Sequence, residues 1–215
     1  MAVFAERLKK GYSGAIYDVL RAMGHPRQTL PSNIRPMDPA TKLAGKIYTL
    51  SGRYEEGIDP HQTLLAWTGM LSKAPEGSVV ICQPNDDRLA HMGELSAETM
   101  QLQGIRGYIV DGGCRDSAFI SSIGFRVFCR YYTPVDVVGR WLPEGFGEPI
   151  DIGGVMIHTG DYVMADRDGI VIIPVGLVEE VTERVEQILN TESKVRKAIK
   201  GGMDPQQAYL KYGKF

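Results

Sequence analysis

The sequence lacks the features of secreted, membrane-bound and nucleic-acid-binding proteins. Its 215 residues include three cysteines, an odd number at wide spacing that does not suit a disulfide framework. We therefore expect Cys82, Cys114 and Cys129 to be reduced thiols in a cytoplasmic protein. The 24 basic residues nearly balance the 26 acidic ones and form no basic block, so we expect neither a nucleic acid nor a membrane surface as a partner.

Long hydrophobic runs are also scarce. The longest, GIVIIPVGLV, has about half of the length that a membrane-spanning helix requires. The opening MAVFAERLKK is charged at its sixth position, so we expect no signal peptide there. A hydrophobic share of 43% suffices for a core, and we interpret residues 1–215 as one domain with 202–215 as a C-terminal tail.

Several catalytic motifs are missing. The four histidines show no HxH or HExxH spacing, which disfavours a zinc site. No lysine follows a predicted buried strand, so Schiff-base chemistry is not indicated. The stretch GFGEPIDIGG does not match the G-x-G-x-x-G loop of nucleotide-binding enzymes, which argues against a methyltransferase.

The sequence does contain alternating helix-like and strand-like segments. The periodicity predicts helices over 13–23, 61–74, 93–103 and 177–199, and strands over 46–50, 77–83, 107–110 and 125–134. This strand–helix–strand order predicts a parallel βαβ unit.

Two finer predictions concern side-chain faces and strand pairing. In the helix over 93–103, an inward stripe is predicted for Met92, Leu95, Thr99 and Leu102. Towards the C-terminus, a β-meander is predicted for the short runs 155–158, 161–166 and 169–174.

The segment GGCRD follows a predicted buried strand. Ligands of α/β proteins collect beyond the carboxyl ends of parallel strands. We expect Gly112 and Gly113 to let the chain turn sharply, and the turn to aim Arg115 at a substrate oxygen and Asp116 at a hard cation such as magnesium. The alternative is a surface turn whose charges face solvent. Cys114 is interpreted as a spacer rather than a nucleophile, because no histidine neighbours it.

The segment GEL opens the helix before that strand. The free amides of its first turn, around Glu94, Leu95 and Ser96, are able to hold an anion such as a substrate carboxylate. The carboxylate of Glu94 is placed to accept protons or to hold a metal-bound water. Alternatively, Glu94 is an acidic residue that the helix dipole favours and has no catalytic role.

Glu192 occupies a position on the apolar seam of the last long helix. Val185, Ile188 and Val195 continue this seam at steps of three and four, and the step after Ile188 falls on Glu192. A buried carboxylate needs a partner. Either Glu192 extends to solvent near the helix end, or it faces a polar site, such as one across a subunit contact.

These segments together resemble a known family. The pattern is G-E-L, a helix, and G-x-x-G-Y-I-V-D-G-G-x-R-D, with twenty residues between Glu94 and Arg115. It resembles the class II pyruvate aldolases related to 4-hydroxy-4-methyl-2-oxoglutarate aldolase, whose superfamily includes the regulator of ribonuclease E activity A (RraA). The likeness extends from about Ala15 to Gly201 and includes IRP, AGKIYT, GGVMIHTGDYVMADRDGIVIIP and ESKVRKAIKGG.

The resemblance implies a fold and a metal site. The fold is an α/β three-layer β/β/α sandwich of the swivelling-domain type, assembled as a homotrimer or a dimer of trimers with sites between subunits. Asp116 is the implied direct ligand of Mg²⁺ or Mn²⁺. Glu94 is implied to hold a metal-bound water, and Glu192 to reach the metal waters from a neighbouring subunit.

The resemblance also implies how a substrate binds. Arg115 is expected to bind the keto oxygen of a pyruvyl group, and the segment from Gly93 through the amides of Leu95 and Ser96 to bind its carboxylate. For the distal end of the substrate, the candidates by charge alone are Arg53, Arg88 and Arg126.

The implied activity is metal-dependent cleavage of 4-hydroxy-2-oxo acids to pyruvate, and the same electron sink serves oxaloacetate decarboxylation. The alternative is a non-catalytic RraA-like regulator that binds a ribonuclease. Regulators of that type, as the resemblance implies, lack the aspartate of the Arg-Asp pair. Because this chain has both Asp116 and Glu94, the sequence favours catalysis.

Overall fold

Helices and strands alternate along much of the chain, as predicted. The computed structural model describes residues 2–214. The helices are α1 (Ala2–Leu8), α2 (Ser13–Ala22), α3 (Pro60–Lys73), α4 (Glu94–Leu102), α5 (Ser117–Ser122), α6 (Val178–Lys200) and α7 (Pro205–Tyr212). The strands are β1 (Arg35–Pro36), β2 (Leu43–Tyr54), β3 (Ser78–Gln83), β4 (Gly107–Val110), β5 (Gly113–Cys114), β6 (Val127–Cys129), β7 (Tyr131–Tyr132), β8 (Trp141–Phe146), β9 (Ile150–Ile152), β10 (Val155–Ile157), β11 (Tyr162–Ala165) and β12 (Ile170–Ile173).

Eight strands form one mixed sheet in the order β1-β6-β4-β3-β2-β11-β12, with β8 also paired to β2. Strands β2, β3, β4 and β6 are parallel neighbours, which confirms the predicted βαβ unit. The 12-residue strand β2 pairs with β11 near its start and with β8 near its end. The carboxyl ends of β3 and β4 therefore lie side by side at one edge of the sheet.

The two faces of β3 lie in different parts of the core. Val80 and Cys82 pack with residues of α3 and α4, whereas Val79 and Ile81 pack with β9, β10, β11 and β12. Since successive side chains of a strand point to opposite faces, the continuous apolar run of β3 is covered on both sides. Helices α2 and α6 cover the other face of β11 and β12. Two β layers packed against helices confirm the predicted α/β architecture.

The predicted β-meander is confirmed for the antiparallel pair β11 and β12 and is wrong for β10. Strand β10 forms a hairpin with β9, whereas β11 pairs with β12 and β2 in the main sheet. The reason lies in the side chains of Val155 and Ile157, which are buried against the face of the main sheet. Strand β10 thus packs face to face on the sheet instead of extending its edge.

The predicted inward stripe of α4 is wrong for its two leucines, although Met92, just before the helix, is buried as predicted. Leu95 is 74% exposed and Leu102 is 83% exposed, whereas Ala97 and Met100 are buried. Two faces of this helix carry apolar residues at helical spacing, and the periodicity does not tell which of them meets the sheet. The small side chain of Ala97 lies on the buried face, and the leucines remain on the surface.

The C-terminal tail folds onto its own chain. Helix α7 begins at Pro205, is capped by Asp204 and packs on α6. Within residues 2–214, no helix combines the length and the apolar character needed to cross a membrane.

Candidate active site

A cleft of about 570 Å³ opens beyond the carboxyl ends of β3 and β4. The N-terminus of α4 and the turn before α5 form its polar end. Six of the residues predicted for the site line it, namely Gly93, Glu94, Leu95, Ser96, Arg115 and Asp116. This position at the edge of a parallel sheet is where α/β proteins bind ligands.

Arg115 and Asp116 face each other within this cleft. The Nε atom of Arg115 lies 3.4 Å from Oδ2 of Asp116, and the two side chains are 39% and 34% exposed. The same Oδ2 atom accepts a hydrogen bond of 3.0 Å from the backbone N–H of Glu94. These contacts hold the turn at residues 115–116 against the N-terminus of α4. Its two charged side chains therefore face each other and do not point into open solvent.

The backbone of the turn differs from the prediction for Gly112 and Gly113. Neither has a positive φ, and the left-handed residue is Asp116, with φ 55° and ψ 35°. A Cβ atom on Gly113 would lie 2.6 Å from the carbonyl oxygen of Leu89, so this glycine permits close approach of a neighbouring segment. The sharp turn is made by Asp116, which directly precedes α5.

Gly93 has a comparable role beside the charged pair. A Cβ atom there would lie 2.8 Å from Oδ2 of Asp116 and 3.1 Å from Nε of Arg115. The backbone N–H of Arg115 also donates to the carbonyl of Met92 at 2.9 Å. The missing side chain therefore lets the turn lie directly against the start of α4.

The first turn of α4 offers two amides to a ligand. Ala97 N–H makes the first helical hydrogen bond, to the carbonyl of Gly93, and Glu94 N–H is taken by Asp116. Of the three amides predicted to be free, that of Glu94 therefore has a partner within the protein. The amides of Leu95 and Ser96 remain at the positive end of the helix dipole, where they suit a carboxylate.

Asp136, which the sequence does not indicate as a site residue, holds Arg115 from the opposite side. Its Oδ2 atom accepts a hydrogen bond of 3.3 Å from Nη1 of Arg115, and its Oδ1 atom lies 3.3 Å from Nη2 of Arg140. The residue lies between β7 and β8. The only local signal is the Asp136–Arg140 spacing of four, which is common on protein surfaces.

His91 forms part of the base of the cleft. Its side chain is fully buried, and neither ring nitrogen has a hydrogen-bond partner among the described residues. Its Nε2 atom lies 3.4 Å from Oδ2 of Asp86, and its ring packs edge-on against Trp141. Burial lowers the pKa of His91 to about 4, an effect that the Asp86 carboxylate partly opposes, so the ring is neutral at physiological pH.

The oxygen donors of the cleft suit a hard divalent cation. Among residues 2–214, no three His, Cys, Asp or Glu side chains converge in the way that an all-protein metal site requires. Mg²⁺, however, is commonly bound through one or two carboxylates, with waters and substrate oxygens completing its shell. Asp116 and Glu94 both line the cleft, so this donor set fits Mg²⁺ or Mn²⁺.

Glu192 lies outside this cleft in the same chain. It lines a separate cavity of about 520 Å³ beside α6. Its two carboxylate oxygens lie 2.8 and 3.0 Å from the hydroxyl of Tyr12, and Lys214 is 3.8 Å away. Burial and this hydrogen bond raise the pKa of Tyr12 to about 12. Contact of Glu192 with the site of a neighbouring subunit stays a prediction.

Cys114 is fully buried, and burial raises the pKa of its thiol well above the usual range. The described structure holds Cys82 and Cys129 as free, buried thiols too. A buried protonated thiol is a poor nucleophile. These properties fit the interpretation of Cys114 as a spacer.

The three arginines suggested for the distal substrate group do not line the cleft of their own chain. Arg53 pairs with Glu144, and Arg88 lies over the ring of Tyr54. Arg126 donates to a backbone carbonyl. Each guanidinium is engaged elsewhere.

Comparison with known proteins gives three findings. A family model described as RraA-like, Aldolase/RraA, matches residues 13–172. Protein DlpA of Legionella pneumophila is 29% identical over 203 residues, which cover 93% of this chain but only 32% of DlpA, so the chain spans about a third of that relative. A Halalkalibacterium halodurans protein named "Putative 4-hydroxy-4-methyl-2-oxoglutarate aldolase" is 27% identical, with 84% of this chain and 83% of that protein covered.

The solved structures show the same fold. The crystal structure of Streptomyces coelicolor RraAS2, described as an unusual member of the RNase ES inhibitor RraA protein family, superposes with a TM-score of 0.83 at 24% identity. The superposition covers 92% of this chain and 98% of RraAS2.

Proposed function

Because the chain belongs to the RraA-like (Aldolase/RraA) family, we propose that it is a divalent-metal-dependent lyase that cleaves 4-hydroxy-2-oxo acids to pyruvate and a carbonyl compound. Oxaloacetate decarboxylation is the second reaction of the same site. The observation that carries the proposal is the meeting of Arg115, Asp116 and the free amides of α4 in one cleft. The name carried by the Halalkalibacterium relative supports it.

The pyruvyl end of the substrate binds at the polar end of the cleft. The amides of Leu95 and Ser96 donate to its carboxylate. Arg115 has five N–H donors, and its contacts with Asp116 and Asp136 engage only part of them. The remaining donors are directed at the keto oxygen, and the two carboxylates hold the guanidinium in place.

During cleavage the bond between C3 and C4 breaks and negative charge develops on the keto oxygen. The Arg115 guanidinium stabilises this charge, an effect typically worth roughly 3–4 kcal/mol of barrier for one donor. The exposed carboxylate of Glu94 accepts the proton of the 4-hydroxyl group, and this proton is returned to C3 to complete pyruvate. When bound at Asp116, a divalent cation supplies an electron sink for the keto acid.

A second copy of the chain completes the site in this proposal. Four exposed leucines lie on the two helices that border the cleft, namely Leu64, Leu65, Leu95 and Leu102. Two of them, Leu64 and Leu95, line the cleft, and exposed apolar side chains beside a site are typical of a protein contact. We propose a homotrimer or a dimer of trimers in which Glu192 of one chain reaches the cleft of the next.

The alternative function is a non-catalytic regulator that binds a ribonuclease, as the description of RraAS2 suggests for that protein. The pairing of Arg115 with Asp116 favours catalysis, since a surface that only binds a protein does not need a cation-binding carboxylate beside a guanidinium.

Pyruvate release from 4-hydroxy-2-oxo acids and from oxaloacetate, followed with lactate dehydrogenase and NADH, tests the proposal. The lyase predicts release in the presence of Mg²⁺. Failure with every keto acid, together with stoichiometric co-purification of a ribonuclease, would support the regulator instead.

A further inference from the structure

Trp67 and Ser96 join the two helices that border the cleft. Both residues line it, Trp67 from α3 and Ser96 from the first turn of α4. The indole Nε1–H of Trp67 donates to Oγ of Ser96 at 2.8 Å. Because an indole nitrogen is a donor only, the serine oxygen is the acceptor, and the hydrogen of its hydroxyl is left for another acceptor.

The indole ring of Trp67 is held in place by its surroundings. Trp67 is 8% exposed, and its ring packs edge-on against Trp141 with 6.1 Å between the ring centroids. Trp141 is fully buried and donates its own indole N–H to the carbonyl of Pro84 at 2.8 Å. A side chain packed in this way keeps one rotamer, so its N–H restricts the rotation of the Ser96 hydroxyl.

The hydroxyl of Ser96 does not bond to the backbone of its own helix. Three positions further along α4, Thr99 Oγ1 donates to the carbonyl of Leu95, four residues earlier, at 2.6 Å. The equivalent carbonyl for Ser96 is that of Met92, which already accepts the backbone N–H of Arg115 at 2.9 Å. Within residues 2–214, the Ser96 hydroxyl finds no acceptor, so its hydrogen is available to a ligand in the cleft.

We propose that the Ser96 hydroxyl donates to the carboxylate of the 2-oxo acid and that Trp67 is the residue that positions this hydroxyl. The inference rests on the proposed lyase function and adds a side-chain donor to the backbone amides of α4. The amide and the hydroxyl of Ser96 both lie at the positive end of the helix dipole, which favours a negative charge. A hydrogen bond to a charged acceptor is stronger than one between neutral groups.

This role has a kinetic signature. The carboxylate keeps its charge while the bond between C3 and C4 breaks, so its contacts stabilise the bound substrate and the transition state about equally. Their loss raises KM and leaves kcat unchanged. Arg115 differs in this respect, because the keto oxygen that it contacts gains negative charge during the reaction.

A double-mutant cycle tests the proposal. Ser96→Ala, Trp67→Phe and the double variant are prepared as full chains loaded with Mg²⁺, and the Kd of pyruvate is measured by titration calorimetry. Ser96→Ala removes the hydroxyl and should weaken pyruvate binding about tenfold. Trp67→Phe keeps an aromatic ring but lets the hydroxyl rotate, and should weaken binding about fivefold.

In the double variant, Trp67→Phe should cause no loss beyond that of Ser96→Ala, since the hydroxyl that the indole positions is already absent. The KM of the lyase reaction should rise in both single variants, with kcat unchanged. Thermal unfolding shows whether each variant is folded, and Ser96→Ala tests the hydroxyl even where Trp67→Phe is unstable.

Ser72→Ala is the matched control. The hydroxyl of Ser72 donates to the carbonyl of Thr68 at 3.0 Å, and the residue is exposed on α3 outside the cleft. This variant loses the same group from a helix and should leave both the Kd of pyruvate and KM unchanged.

The outcomes separate this inference from the proposed function. Unaltered pyruvate binding in Ser96→Ala overturns the inference and leaves the lyase intact. Equal weakening by Trp67→Phe in the wild-type and Ser96→Ala backgrounds, or a fall in kcat at constant KM, does the same. Absence of both pyruvate binding and pyruvate release in the wild type overturns the inference together with the lyase.

Discussion

The carboxylate of Asp116 accepts a hydrogen bond of 3.0 Å from the backbone amide of Glu94, although 22 positions separate the two residues. Helix α4 and strands β4 and β5 fill the interval, so the bond joins the N-terminus of α4 to the turn that leads into α5. This contact gives the spacing between Glu94 and the Arg-Asp pair a physical meaning. The length of one helix–strand unit brings an acid, a guanidinium and a carboxylate into one cleft.

Gly93→Ala should lower kcat/KM sharply, because the new Cβ would lie 2.8 Å from Oδ2 of Asp116. The melting temperature should change little. The backbone φ of −142° at Gly93 is accessible to alanine, so the effect comes from displacement of the charged pair. A misplacement of this kind costs about a hundredfold in rate. Steady-state kinetics and thermal unfolding check it.

Gly69→Ala is the matched control, since a Cβ there meets no atom within 4 Å. It lies inside α3 and should stabilise the protein by up to about 1 kcal/mol. Equal kinetics for the two glycine variants would contradict the close-approach account.

Asp136→Asn should lower kcat more than it raises KM. The amide keeps the volume but loses the charge that holds Nη1 of Arg115 at 3.3 Å, so the guanidinium loses orientation. The expected loss in kcat is about tenfold or more. Asp136→Glu retains the charge and should recover part of the lost kcat. An unchanged kcat in Asp136→Asn would show that Asp136 does not orient Arg115 for catalysis.

Mixed oligomers test whether Glu192 acts across a subunit contact. We expect Asp116→Asn and Glu192→Gln each to be nearly inactive alone. Co-expression at equal amounts should then restore about a quarter of the wild-type activity, since in a ring each site combines residues of two different chains. No recovery from two inactive variants would show that each site uses a single chain, and full activity of Glu192→Gln alone would show that Glu192 has no role in the site.

Acidification should destabilise the protein through His91. Its pKa is about 4 in the folded chain against about 6.5 when unfolded, so the unfolded state binds more protons between these values. His91 makes its full contribution to the free energy of unfolding above about pH 6.5. Roughly 3 kcal/mol of that free energy is lost as the pH falls from this value through 4.

Urea unfolding of wild type and His91→Leu between pH 7 and pH 4 measures this dependence. The leucine variant should show a smaller decrease in the free energy of unfolding across that window. Identical decreases would mean that the buried imidazole is not the titrating group.

The sequence predicts those parts of the site that follow from chain direction. The position of Arg115 and Asp116 beyond the carboxyl end of a buried parallel strand follows from strand order. The continuous apolar run of β3 likewise predicts a strand buried on both faces. That Glu94 shares the site with Arg115 is what the family resemblance implies.

The remaining features depend on contacts between distant segments. The exposed face of α4 is determined by its packing on the sheet, which brings Ala97 inward and leaves Leu95 outside. Asp136 lies in a short loop. Only in the folded chain does its Oδ2 atom come within 3.3 Å of Nη1 of Arg115. The left-handed backbone of Asp116 is likewise not predicted from the sequence. Glycine is the residue that usually adopts this conformation, so the turn is assigned to the neighbouring glycines instead.

The most direct test of the central claim is metal-dependent pyruvate release by three proteins after EDTA treatment and dialysis: wild type, Asp116→Asn and Asp111→Asn. Asp111 follows β4 but pairs with Arg130 outside the cleft, so it is the matched carboxylate. The account predicts that added Mg²⁺ or Mn²⁺ restores wild type and Asp111→Asn, while Asp116→Asn stays inactive at every metal concentration. Full turnover in EDTA, or wild-type turnover by Asp116→Asn, would contradict it.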